Sequence, residues 1–250
     1  ANGTDALFVS LKCLDIGPGD EVIVPANTFI ATSEAVTLTG ATPVFVDCDA
    51  QTYNIDTGLI ESKVTDKTKA IIPVHLYGQP VNMETVCQIS AKYKLKVVQD
   101  CAQAHGAAYK NRVLAEFGDC LCFSFYPGKN LGAYGDAGGI VTNDSDLYKR
   151  VKMYANHGRL SKYDHEFEGT NSRMDGVQAA ILNVKLKYLE GWLQKRRRNA
   201  GVYDELLSKE ESIVSPQCAS DVKHVYHLYV VRVEKRDELR NFLAEKGIST

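Results

Sequence analysis

The feature that most constrains this chain is an alternation of short β-branched runs with amphipathic stretches over most of its length. Glu21-Val22-Ile23-Val24, Pro43-Val44-Phe45-Val46, Ala70-Ile71-Ile72-Pro73-Val74, Lys96-Val97-Val98-Gln99-Asp100, Cys120-Leu121-Cys122-Phe123-Ser124-Phe125 and Gly139-Ile140-Val141-Thr142 read as buried strands. Helical spacing falls between and after them, roughly over 5–14, 31–38, 83–93 and 145–154. Strands that are apolar on both faces need cover on both sides. The pattern therefore predicts an α/β fold, a mostly parallel sheet sandwiched by helices. Ligands of such sheets bind at the carboxyl ends of the strands, so the residues just after each strand are the first place to look for chemistry.

The pattern changes toward the C-terminus. A long helix is expected over 174–192, with Val177, Ile181, Val184 and Tyr188 forming one apolar stripe. Lys195-Arg196-Arg197-Arg198 reads as a solvated helix face. A strand over 227–232 and a helix over 237–246, ended by Gly247, would follow. The division implied is a large domain over 1–194 and the beginning of a small α+β domain over 195–250. The chain opens on Ala1-Asn2-Gly3-Thr4 and closes on Gly247-Ile248-Ser249-Thr250, so both ends read as cut, with a preceding arm and later small-domain segments expected beyond them.

Composition narrows the function classes. With 29 Lys and Arg against 31 Asp and Glu, the formal charge of −2 lacks the basic surplus of a nucleic-acid or anionic-membrane binder, and 44% hydrophobic residues argue against disorder. No run of about 18 apolar residues is present to span a bilayer, nor any signal-peptide pattern. Seven cysteines, an odd number without a Cys-x-x-Cys pair, read as free buried thiols in a reducing cytoplasm, with no metal site.

Polar residues at strand ends carry the chemistry. Asp100 ends one strand and is followed by Cys101-Ala102-Gln103-Ala104-His105-Gly106; Ser124 lies in the next, and Lys129 enters a loop with glycines at 128, 132, 135, 138 and 139. Taken singly, a carboxylate at a strand end is a common cap, and a lysine in a glycine-rich loop is usually solvated. Together they match pyridoxal phosphate chemistry. That cofactor requires a lysine amine to form a Schiff base and a carboxylate to keep the pyridine nitrogen protonated. Asn2-Gly3-Thr4-Asp5-Ala6-Leu7 would supply a helix N-terminus for the phosphate, with Gly3 allowing close approach and Thr4 as the cap, and Ser124 could add a hydroxyl.

At these residues the chain resembles the DegT/DnrJ/EryC1/StrS sugar aminotransferases, which are fold-type I pyridoxal-phosphate enzymes. The resemblance runs almost from end to end. It is carried by Asn2–Leu7, Gly19-Asp20-Glu21-Val22-Ile23-Val24-Pro25, Asn27-Thr28-Phe29-Ile30-Ala31-Thr32, Asp100–Gly106, Ser124-Phe125-Tyr126-Pro127-Gly128-Lys129 and Gly169-Thr170-Asn171-Ser172-Arg173-Met174. The resemblance implies Lys129 as the Schiff-base lysine, Asp100 as the partner of the ring nitrogen and Gln103 near the phenolic oxygen. Thr4, Ser124 and the amides of Gly3 and Asp5 would hold the phosphate. Phe29 would stack on the ring, although by pattern alone it is an ordinary core aromatic. Asn171 would reach the phosphate from the second subunit of a homodimer; read alone, it caps a helix near Met174. His75 and His157 match family positions, the former with a structural role as the simpler account, and His105 reads as scaffold. His157 and Tyr163 are the substrate-side candidates. The family contains dehydratases with histidine where Lys129 stands, so lysine here implies aminotransfer. By the same resemblance the donor is glutamate and the acceptor a nucleotide-linked keto-sugar, aminated at C3, in deoxyamino-sugar biosynthesis for lipopolysaccharide or antibiotics. Amination at C4 and a cofactor-binding fragment without turnover are the alternatives.

Overall fold

In the computed structural model, which describes all 250 residues, the strands are β1 (Glu21–Pro25), β2 (Thr42–Val46), β3 (Thr68–Ile71), β4 (Lys96–Asp100), a small hairpin of β5 (Ala108–Tyr109) and β6 (Arg112–Val113), β7 (Cys120–Ser124) and β8 (Gly138–Val141). Six of these form the central sheet in the order β2-β1-β3-β4-β7-β8. All neighbours in it are parallel except β7 and β8, which pair antiparallel. The strand order reverses between β1 and β3, and a crevice opens at such a reversal.

Alternation along the strands divides the core into two faces. Val22, Val24, Ala70, Ile72, Val98, Cys120 and Cys122 pack under α1 (Gly3–Cys13), α2 (Ala31–Leu38) and α4 (Ser145–Tyr154). Ile23, Ile71, Val97 and Leu121 face the other way, against Met83, Val86 and Ile89 of α3 (Met83–Tyr93). Those three side chains recur every three residues, the spacing that puts them on one helical face, and burying each is worth about 1.5–3 kcal/mol. Asn82 starts α3 by accepting the Thr85 amide at 3.2 Å. The sheet covered by helices on both sides is thus the architecture expected from the alternation.

Several local expectations are corrected. The long helix over 174–192 is two, α5 (Gly176–Leu186) and α6 (Leu189–Leu207), separated at Lys187 and Tyr188. Its apolar stripe is not a core face: Val177, Val184 and Tyr188 are exposed. Residue 195 falls inside α6, and the basic run is only partly solvated, since Arg196 donates to the Tyr226 and His227 carbonyls and Arg197 pairs with Glu190. The run predicted as strand over 227–232 bends at His227 and forms no strand ladder before β11 (Arg232–Val233), which joins β9 (Ile213–Val214). Pro73 lacks the amide a ladder needs, so β3 stops at Ile71 and Val74 returns as a single bridge to Asp100. The seven thiols are all free, as expected, but Cys218 is exposed and Cys48 and Cys87 are half-buried.

The C-terminal segment is stitched to the rest of the chain. Its β10 (Val222–Lys223) pairs with β5, and Val225 is fully buried with Leu193 of α6 in the α3-side core. The last helix, α7 (Arg236–Glu245), ends where Gly247 adopts φ +75°, as its sequence suggested.

His75 is a structural histidine. It is fully buried, its Nδ1 accepts the Val81 amide at 3.0 Å, and its Nε2 donates to Gln99 Oε1 at 3.0 Å. Burial pushes its pKa down to about 4. The unfolded chain therefore binds a proton here between about pH 6.5 and 4 that the folded chain does not, so stability is complete above the unfolded pKa and falls with acid. Urea unfolding at pH 7 and pH 4.5 is expected to show this loss, reduced in His75→Gln if that variant folds.

Candidate active site

Loops after β1, β3, β4 and β7 meet the N-terminus of α1 around a cleft of about 770 Å³. Asp100 and Lys129 both line it. Asp100, at the end of β4, is buried, and each carboxylate oxygen is held: Oδ2 accepts from Thr32 Oγ1 and Oδ1 from the Ala102 amide, both at 3.0 Å. Thr32 spends its hydrogen on Asp100, so Thr28 donates to Thr32 at 3.1 Å. Burial raises the Asp100 pKa, while the two hydrogen bonds and the Lys129 charge oppose that rise. Lys129 follows a turn closed by its own amide on the Tyr126 carbonyl at 2.9 Å. Desolvation lowers the Lys129 pKa more than the Asp100 charge raises it, so burial pushes both groups toward their neutral forms and their mutual attraction only partly offsets this.

A second corner is suited to an anion. Asn2, not Thr4, caps α1, because helical geometry already begins at Gly3 and the Asn2 side chain accepts the Asp5 amide at 2.8 Å. The amides of Gly3 and Thr4 have no acceptor within the helix, because they belong to its first turn. Ser124 closes against them: a Cβ on Gly3 would stand 2.6 Å from Ser124 Cβ, and one on Gly138 would stand 2.1 Å from the Asn2 carbonyl oxygen. Two glycines thus let the start of α1 seat at the ends of β7 and β8. Gly138→Ala is expected to displace that helix start, costing about 1–3 kcal/mol in urea unfolding and weakening phosphate-ester binding.

The other predicted residues divide. Gln103 lines the cleft, and its Oε1 accepts the Tyr77 amide at 2.5 Å. Phe29 is 71% exposed on the cleft wall, so it is not a core aromatic. Asn171, His157 and Tyr163 are exposed and lie outside the cleft of their own chain. Asn171 does not cap a helix; α5 begins at Gly176, and the Asn171 backbone bridges Asn156. His157 sits at φ +63°, its carbonyl accepting from His165 Nδ1 at 2.8 Å, and Tyr163 is 80% exposed. Sequence reasoning missed Thr32, Asn130 and His227. Thr32 stands in a motif whose pattern gives it no role; His227 reads as part of a strand, although His224-Val225-Tyr226-His227 is unusually polar for a buried one.

The sequence profile of the DegT/DnrJ/EryC1/StrS aminotransferase family matches residues 1–250. The chain belongs to that family. It is 52% identical over 250 residues to the dTDP-3-amino-3,6-dideoxy-alpha-D-galactopyranose transaminase of Aneurinibacillus thermoaerophilus, covering 100% of this chain and 69% of the relative. The crystal structure of DesV from S. venezuelae, in complex with a ketimine intermediate, matches with a TM-score of 0.97 at 46% identity, over 99% of this chain and 67% of that one. NtdA from Bacillus subtilis, solved with bound cofactor PMP, matches with a TM-score of 0.91 at 38% identity, over 98% of this chain and 57% of that one. The chain spans about two thirds of the length of such curated relatives. The fold is the fold-type I pyridoxal-phosphate transferase scaffold that the sequence implied.

The residues present fit pyridoxal phosphate. A buried carboxylate remains ionisable only where something cationic faces it, and the glycine-lined corner at Gly3, Thr4 and Ser124 offers donors where a side chain would otherwise stand.

Proposed function

We propose that this protein is a pyridoxal-phosphate-dependent aminotransferase that moves an amino group from glutamate to C3 of a nucleotide-linked keto-sugar. The observation that carries the reading is the buried Asp100 opposite Lys129 in a cleft that also holds a free helix N-terminus. When bound, pyridoxal phosphate supplies an electron-withdrawing ring that lets a C–H bond beside the substrate nitrogen ionise. Asp100 keeps the ring nitrogen protonated, and the Thr32 and Ala102 donors hold the carboxylate in its ionised form for that task. Lys129, with its pKa lowered, takes the proton from the substrate carbon as an amine and returns it as an ammonium, so one group serves both half-reactions. Gly3, Thr4 and Ser124 would hold the phosphate; the Asp5 amide, expected to join them, is spent on Asn2 Oδ1 at 2.8 Å and is not free to donate to it. Gln103 and Phe29, both lining the cleft, would lie near the phenolic oxygen and the ring face respectively.

The site is completed by a second copy. Lys129 and His227 are the basic side chains lining the cleft, against carboxylates at Asp5, Glu34, Asp100 and Asp136, so anionic ligands need further donors. Asn171, contributed by the other copy, reaches the phosphate, and His157 and Tyr163 of the same region approach the sugar. The exposed Val177 and Val184 of α5, with Tyr188 just beyond its end, support this region as part of that homodimer contact. Val184→Glu is expected to shift the protein toward monomer in sedimentation velocity and to reduce turnover at least tenfold at low protein concentration.

Amination at C3 is supported by the relative from A. thermoaerophilus, whose name places the amino group there. Glutamate assayed with a panel of 3-keto and 4-keto nucleotide sugars tests this: preference for the 3-keto members is expected, preference for the 4-keto members would move the reaction to C4, and binding without turnover would leave a cofactor-binding protein. We place the protein in the cytoplasm, supported by its free thiols, and no helix is long and apolar enough to cross a membrane. The division into a large domain over 1–194 and the start of a small one over 195–250 is kept as part of this reading, supported by the separate β9–β11 pairing.

A further inference from the structure

His227 has no role in the reaction described above, yet it lines the cleft with Lys129. It arrives on the C-terminal segment, anchored by the buried Val225 and by backbone bonds from Val225 to the Gly78 carbonyl at 3.0 Å and from His227 to the Tyr77 carbonyl at 2.8 Å. Asn130, the residue after Lys129, is buried against that segment. Its Nδ2 donates to the Val225 carbonyl at 3.2 Å, which fixes the amide and leaves Oδ1 for His227 Nδ1, 3.2 Å away. A carbonyl oxygen only accepts, so Nδ1 carries the hydrogen. Nε2 then presents a lone pair to which no group of the chain donates. Burial, with the charges of Lys129 and Arg196, pushes the imidazole pKa down to about 4, so the ring is neutral at pH 7.

We propose that His227 Nε2 accepts a hydrogen bond from the hydroxyl on the sugar carbon next to the carbonyl being aminated, making His227 a specificity-determining residue for hydroxylated over deoxygenated keto-sugars. The inference rests on the aminotransferase reading. Lys129 must reach the reacting carbon, and His227 is bonded to Asn130, the next residue, in the same cleft, so the substituent on the adjacent carbon is the one the imidazole meets. A carboxylate at that position would face a lone pair and is disfavoured.

The test uses the protein loaded with pyridoxal phosphate and two probes, a dTDP-linked 3-keto-6-deoxyhexose and its 4-deoxy counterpart, assayed with glutamate. Equilibrium dissociation constants of both are measured separately by calorimetry without amino donor. The wild type is expected to favour the hydroxylated sugar by about tenfold or more in kcat/KM and to bind it more tightly. His227→Phe should bring both ratios close to one while retaining cofactor binding, and His227→Gln, which keeps an acceptor, should preserve most of the preference. His227→Leu provides a second apolar replacement should the Phe variant not fold. An apolar variant that keeps the wild-type ratios, or a wild type that binds the two sugars equally, overturns the proposal. A wild type that discriminates in binding but transfers no amino group overturns the aminotransferase reading instead.

Discussion

Lys129→Ala is expected to lower turnover on the order of 10⁴-fold, because one side chain is both the covalent attachment point and the proton carrier of both half-reactions. The variant should fold: Lys129 is only partly desolvated, and its truncation removes a cation from a costly environment. Added pyridoxal phosphate should then fail to give the visible absorption band that the wild type develops, while phosphate-ester binding persists through Gly3, Thr4 and Ser124. Wild-type circular dichroism together with a retained visible band would remove Lys129 from its role. Rescue of part of the activity by a small exogenous amine would support the proton-carrying half of that role.

Asp100→Asn separates function from stability. Turnover is expected to fall roughly a hundred- to thousandfold, since an amide cannot hold the ring nitrogen protonated. The cofactor-free protein should become more stable by about 1–3 kcal/mol near pH 7, because the substitution removes a buried charge with little change of shape. Asn Oδ1 can still accept the Ala102 amide, and Nδ2 can donate to the Thr32 hydroxyl. The pH dependence follows from the raised pKa of Asp100. Between its unfolded and folded pKa values the folded chain binds the extra proton, so this group stabilises the fold at low pH and loses that contribution as pH rises through the folded value. Asp100→Asn should therefore gain most over the wild type at neutral pH and least in acid. Thermal unfolding of both proteins across pH 4 to 8 checks the sign.

The sheet was legible because its strands are apolar on both faces, and that periodicity belongs to the strands rather than to distant partners. Helices whose ends carry local signals were equally legible: Asn82 and Asp144 start α3 and α4 through their own side chains. What tertiary contacts decide was not. The break at Lys187 has no glycine or proline to announce it, and the stripe on α5 has helical spacing whether it meets a core or a second chain. Asp100, Lys129 and the α1 turn could be found because the cofactor demands particular chemical groups at strand and helix ends. His227 could not, because its place beside Lys129 depends on Val225 docking into a core that forms from residues far earlier in the chain.

The most direct measurement of the central claim is the first half-reaction alone. Protein loaded with pyridoxal phosphate is mixed with excess ¹⁵N-glutamate and no keto-sugar, and the 2-oxoglutarate released is counted against bound cofactor. One 2-oxoglutarate per site is expected, with ¹⁵N retained on the protein-bound cofactor and passed to C3 of a keto-sugar nucleotide added afterwards. Bound cofactor that releases no 2-oxoglutarate would contradict it.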